Sequence, residues 1–202
     1  NERTLKQLNI PYEKIYLHPN NHAAYYPGAS PISIKALYNK ENKKILGAQA
    51  LGVSGVDKFI DVIATSIKFK ATIDDLSELE LAYAPPFLSA KSPANMLGFI
   101  GQNIEDGLLE QVFMEDLKNY NEKENIILDV REELELIGGK FDNSINIPLS
   151  ELRKRYNELP KDKEIWTYCA VGLRGYIASR FSWWNKKQRK SNFKSSRRRE
   201  FE

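Results

Sequence analysis

The residues with most chemical potential lie in one short stretch. The run Glu-Ile-Trp-Thr-Tyr-Cys169 leads into Ala170, Val171, Gly172, Leu173 and Arg174, followed by Gly175 and an apolar Tyr-Ile-Ala segment. Ile165, Trp166, Thr167 and Tyr168 are of the β-branched and aromatic types enriched in strands. The pattern predicts a strand ending at Cys169, a short loop, then a helix. In that position loop N–H groups and the helix N-terminus converge on the sulfur, and Arg174 adds a full positive charge. All three favour thiolate over thiol, and the thiolate is the nucleophile; an unperturbed cysteine has a pKa of about 8.5. Taken alone, a single cysteine is more often a small buried packing residue than a nucleophile.

The elements around this stretch must hold it. Upstream, Ile126-Ile-Leu-Asp-Val-Arg131 reads as a buried strand ending in Asp129 and Arg131, and 132–137 as a short helix. A loop leads to Asn146-Ile-Pro-Leu149, and Ser150 reads as the cap of a helix through Tyr156. Strands alternating with helices predict a parallel α/β sheet. Sites in such sheets form at the C-terminal strand ends, where Asp129 and Cys169 both fall. The charged segment 105–124 reads as a linker becoming the leading helix of this second domain. Asp-Val-Arg, Asn-Ile-Pro-Leu and Cys-x-x-Gly-x-Arg in this order resemble a rhodanese domain from about residue 113 onward. The resemblance implies sulfur carried as a persulfide on Cys169, with the loop 170–173 and Arg174 stabilising the anion. It implies that Asp129 and Arg131 fix loops rather than touch substrate.

The first half reads differently. A strand is expected at 12–17, then a turn-rich segment, then strands at 31–38 and 44–51 around an Asn-Lys-Glu-Asn turn. Helices are expected at 57–69, where Phe59, Ile60, Ile63 and Ile67 share a face, and after Ser92-Pro93. Asp74-Asp-Leu-Ser-Glu reads as a short helix or turn. Four separated motifs, His22-Ala-Ala-Tyr-Tyr-Pro-Gly28, Gly52-Val-Ser-Gly-Val-Asp57, Ala82-Tyr-Ala-Pro-Pro-Phe87 and Asn95-Met-Leu-Gly98, resemble the dimerisation domain of pyridine-nucleotide-disulfide oxidoreductases, in its CoA-disulfide reductase and NADH oxidase branch. That resemblance implies a homodimer through residues 11–104, with Tyr25 and Tyr83 contributed to the partner's active site. A phenol can donate a hydrogen bond to a thiolate or protonate a leaving one.

Together the readings predict an α+β dimerisation domain with an antiparallel sheet over 1–106. An α/β rhodanese-like domain with a parallel sheet is expected over 107–182. No Gly-x-Gly-x-x-Gly follows a strand. The chain is therefore expected to be the C-terminal piece of an FAD-dependent CoA-disulfide, CoA-persulfide or polysulfide reductase. FAD and NAD(P)H would belong to the full-length parent, with no cofactor binding to this chain alone. The expected partner is a CoA thiol or persulfide, or another sulfane sulfur donor. The alternative is an assembly module without activity of its own.

Composition narrows the classes. With 202 residues, 42% apolar and 28% charged, the chain suits one or two ordinary globular domains. No run approaches the ~18 apolar residues of a membrane span, and the opening Asn-Glu-Arg-Thr-Leu-Lys has no apolar signal core. One cysteine excludes a disulfide framework, suits a reducing cytoplasmic setting, and with only His18 and His22 leaves no metal site expected. The net charge is +3. Eight Lys/Arg against two Glu in 186–202 give that tail +6 and leave −3 elsewhere, so the basic pI marks a tail and no nucleic-acid face is expected. After Arg180 no apolar strand is read. The rhodanese-like domain is thus expected to be incomplete, with 183–202 an atypical basic tail from a frameshift or truncated reading frame.

Overall fold

The computed structural model describes residues 1–185 and 193–197 and divides into two compact units, Asn1–Glu105 and Asp106 onward.

The first unit opens with α1 (Glu2–Gln7), capped by Asn1, whose Oδ1 accepts from the Thr4 N–H at 3.0 Å. Strands β1 (Tyr12–Leu17), β2 (Ile32–Asn39) and β3 (Ile45–Gly52) form an antiparallel sheet in the order β1-β2-β3. The β2–β3 hairpin turns on Asn39, whose Oδ1 accepts from the Glu41 and Asn42 N–H groups at 2.9 and 3.0 Å. This is the short Asn side chain closing a turn on its own backbone.

Helix α2 (Val56–Lys68) turns Phe59 and Ile63 inward, and α3 (Ile73–Ser77) starts at a capping box between Thr72 and Asp75. Helix α4 (Pro93–Glu105) begins after Ser92, whose Oγ accepts from Asn95 N–H at 3.1 Å. These helices cover one hydrophobic core with Ile15, Ile32, Ile34, Tyr38, Leu76 and Leu97. Two motif residues fix α4 on α3. Asn95 Nδ2 donates to the carbonyls of Leu76 and Leu79 at 3.1 and 2.9 Å. Gly98 lies so close that a Cβ there would stand 2.3 Å from Ser77 N. The short α1 was not anticipated: six residues with one buried side chain, Leu5, carry too little apolar pattern to read as a helix.

The second unit holds β4 (Glu110–Gln111), a 3-10 turn Met114–Asn119, β5 (Asn125–Asp129), a 3-10 turn Glu133–Gly138, β6 (Ile145–Asn146), α5 (Leu149–Arg155), β7 (Glu164–Cys169), α6 (Leu173–Asn185) and β8 (Phe193–Arg197). The strands form a parallel sheet in the order β4-β8-β7-β5-β6. Leu128, Val130, Ile147, Leu152 and Ile165 pack its core, with Tyr156 edge-on to Phe181 at 5.4 Å.

Three expectations are corrected here. Segment 105–124 forms a two-residue strand and a 3-10 turn rather than a leading helix. Ser150 lies inside α5, whose N-cap is Pro148; its Oγ instead donates to Glu132 Oε1 at 3.3 Å. The sheet also does not lose its last neighbour. Phe193–Arg197 forms β8, running parallel to β7 from Ile165↔Phe193 to Cys169↔Arg197 and to β4 at Glu110↔Lys194. Phe-Lys-Ser-Ser-Arg has one apolar residue, so its composition gives no strand signal; two flanking strands supply the hydrogen-bonding partners that define it. The other residues of the basic tail, 186–192 and 198–202, lie outside the described residues.

Candidate functional site

Cys169 is the last residue of the middle strand β7 and is fully buried. Strand alternation puts Ile165, Thr167 and Cys169 on one face and Trp166 and Tyr168 on the other. Thr167 Oγ1 donates to Gly175 O at 3.1 Å, tying strand to helix. Gly172, at φ +104, adopts a backbone conformation that suits glycine, and its N–H donates to Cys169 Sγ at 3.1 Å. Of the remaining loop residues, Val171 is 36% and Leu173 65% exposed, while Ala170 is half-buried.

Arg174 stands in the first turn of α6 and reaches the 3-10 turn Glu133–Gly138. Its Nη1 and Nη2 donate to Glu135 Oε1 and Oε2 at 2.5 and 2.7 Å, a two-pronged pair. Those bonds, partly opposed by burial, hold the Glu135 carboxyl down at about 2. Arg174 is shifted upward in turn, first by Glu135 against burial, and then by Cys169, which lies within range of its guanidinium.

Behind this pair is a buried polar cluster. Asp129 and Arg131, 0% and 1% exposed, form an ion pair through Arg131 Nε and Nη2 at 2.9 and 2.6 Å. Arg131 also donates to the carbonyls of Glu135 and Gly139 at 3.3 and 3.0 Å. Tyr168 Oη donates to Asp129 Oδ2 at 2.5 Å; burial, then this bond to a carboxylate, pushes the phenol upward. Asn146 Nδ2 donates to the Asp129 and Arg131 carbonyls at 3.0 and 2.9 Å. Asp129 and Arg131 therefore act on loops, and the contacts run Asp129–Arg131–Glu135–Arg174 toward Cys169. Sequence reasoning did not single out Glu135 or Tyr168. Three glutamates crowd 132–135, and nothing in their spacing says which meets Arg174. Tyr168 reads as one more strand aromatic.

In the first unit, Tyr25 and Tyr83 come together although 58 residues separate them: their phenol oxygens are 3.1 Å apart. Both sit on loops and are exposed, and the bond to Tyr83 pushes the Tyr25 phenol upward. Tyr26 stacks edge-on to His22 at 6.0 Å, and His22 Nε2 lies 3.3 Å from Pro27 O, which holds the Tyr-Tyr-Pro turn. Among the described residues no cluster of three His, Cys, Asp or Glu could hold a metal ion, and no helix is long and apolar enough to cross a membrane. Cys169 closes β7, and residues 170–172 join it to α6.

Residues 1–94 match the family model of the pyridine nucleotide-disulphide oxidoreductase dimerisation domain, and residues 113–195 that of the rhodanese-like domain. The chain joins these two domains. Over 94 residues it is 39% identical to a coenzyme A disulfide reductase of Staphylococcus epidermidis, covering 46% of this chain and 22% of that protein. The reduced CoADR-RHD of Bacillus anthracis superposes with a TM-score of 0.89 at 48% identity, over 96% of this chain and 34% of that one. A NAD-dependent persulfide reductase from A. fulgidus gives 0.82 at 36% identity, over 97% and 35%. The dimerisation and rhodanese-like domains thus occur together in solved relatives, of which this chain spans about a third.

Proposed function

We propose that this chain is the C-terminal part of an FAD-dependent reductase of CoA disulfide, CoA persulfide or polysulfide, and that its rhodanese-like domain carries sulfur on Cys169. The carrying observation is the Gly172 N–H donating to Sγ, with Arg174 in range of the same atom. In this reading the Cys169 thiolate attacks the outer sulfur of a donor R–S–S⁻. The donor S–S bond breaks, R–S⁻ leaves with the electron pair, and the outer sulfur remains on Cys169 as a persulfide. The Gly172 N–H and Arg174 are fixed donors facing the anion before and after transfer, which is electrostatic preorganisation. The dimerisation domain pairs two copies through 11–104 and offers Tyr25 and Tyr83 to the partner's active site. FAD and NAD(P)H belong to the parent's other domains, in a reducing cytoplasmic setting.

A second reading, an assembly module without chemistry of its own, draws on the complete burial of Cys169. Intact mass after incubation with thiosulfate or an alkyl persulfide separates the two. The sulfurtransferase reading expects a gain of one sulfur atom, removed by excess thiol and absent in Cys169→Ser. A folded chain that gains none supports the assembly module.

A further inference from the structure

Arg174 does not meet the thiol as a free cation. Both prongs of its guanidinium are occupied by Glu135, which belongs to a different element, the 3-10 turn after β5. That turn is fixed from behind by Arg131 on the Glu135 carbonyl, and the Glu132 N–H donates to Glu135 Oε1 at 3.0 Å. The carboxylate is thus oriented from two sides, and with its carboxyl at about 2 it is charged wherever a thiolate exists. An arginine paired in this way presents almost no net charge at a distance, whereas an unpaired one presents a full unit.

The geometry points to Glu135 as a specificity-determining residue: by neutralising Arg174 it sets the charge the Cys169 loop shows to an incoming reagent, favouring donors of low charge over dianions such as thiosulfate. The assignment deepens the sulfurtransferase reading and rests on it for the identity of the donor. Thiosulfate would load Cys169 by the same displacement, with the S–S bond broken and sulfite leaving with the electron pair. The dianion must approach a thiolate, so the residual charge of the loop weighs most on that donor. Glu135 touches neither sulfur nor donor and acts through Arg174.

The test uses the whole chain and two alkylating reagents of similar reactivity and different charge. Rates of Cys169 alkylation by anionic iodoacetate and neutral iodoacetamide are compared in wild type and Glu135→Gln at low salt. The expected result is a rise of about 5-fold in the iodoacetate-to-iodoacetamide ratio, shrinking toward wild type at ~0.5 M salt as the freed charge is screened. A ratio unchanged within 2-fold overturns the proposal, and so does a Cys169 that neither reagent alkylates in the folded chain, because the buried loop then shows no charge to any incoming reagent. So does a variant that reacts faster with both reagents at constant ratio, because that is a loosened loop. Sulfur loading is scored separately on the same samples. If the ratio moves while no donor loads sulfur, the charge assignment stands and the sulfurtransferase reading falls.

Discussion

Cys169 is fully buried at the end of the middle strand of a parallel sheet, whereas Tyr25 and Tyr83 stand 74% and 50% exposed on loops outside an antiparallel one. The described neighbours of the thiol all belong to the second unit. The Gly172 N–H donates to Cys169 Sγ, the Arg174–Glu135 pair stands beside it, and the buried Asp129–Arg131 pair holds the Glu135 turn from behind. The phenols have each other and little else. An exposed pair of phenols at 3.1 Å keeps its other sides open to water. Burial makes the first site sensitive to single substitutions, and exposure makes the second tolerant of them.

The sharpest way to break this contrast is at Asp129. Asp129→Ala leaves the Arg131 guanidinium charged and buried without its partner, which costs about 3–5 kcal/mol. All three tryptophans (166, 183 and 184) lie in the second unit, so their fluorescence reads that unit alone during urea unfolding. The variant is expected to lose the fluorescence transition early while the remaining far-UV transition keeps its midpoint.

The converse substitution is Gly98→Ala, whose Cβ would meet Ser77 backbone at 2.3 Å. Separation of α4 from α3 costs about 1–3 kcal/mol, and the tryptophan transition is expected to stay where it is. Movement of that transition in Gly98→Ala would show that the two units do not unfold separately.

Acid separates the units more gently. In the first unit the Glu2 carboxyl lies at about 2: burial opposes its ionisation, but Lys35, Tyr12 and Lys14 around it prevail. A carboxyl whose folded value is below its unfolded one stabilises above about pH 4.5, and that contribution is lost as pH falls toward 2. Glu2→Gln is expected to flatten the acid loss of the first unit, and Glu135→Gln that of the second, where the sign is the same. Urea midpoints across pH 2 to 6, read by fluorescence and by far-UV signal, check both.

Smallest of all is Tyr25→Phe. Removing one hydroxyl from an exposed pair is expected to change stability by less than about 0.5 kcal/mol. A larger loss in thermal unfolding would mean that the pair braces the fold, contrary to its exposure.

Much of this was legible in the sequence, for identifiable reasons. The β2–β3 hairpin carried Asn39 and two β-rich runs, the start of α4 carried Ser-Pro, and the Cys169 loop followed a run of strand formers. Each is a local signal and needs no knowledge of tertiary contacts. Tyr25 and Tyr83 were found as motif residues, but their meeting across 58 positions depends on the folded first unit. Glu135 was invisible because its partner is 39 residues away and its own turn is rich in glutamate. Strand β8 was missed for a related reason. Its residues are polar, and only the gap between β4 and β7 makes a strand of them.

That insertion has a consequence for the order of synthesis. Residues 1–105 hold every strand of the first sheet, so that unit can close before the second is translated. In the second, β4 pairs among the described residues with β8 alone, and Glu110 must wait for Lys194. At ~5–20 residues per second this leaves a nascent chain for several seconds with one sheet finished and the side of β7 that will receive β8 still open. During that interval the Cys169 strand presents an unpaired edge to whatever else the ribosome surface brings near it.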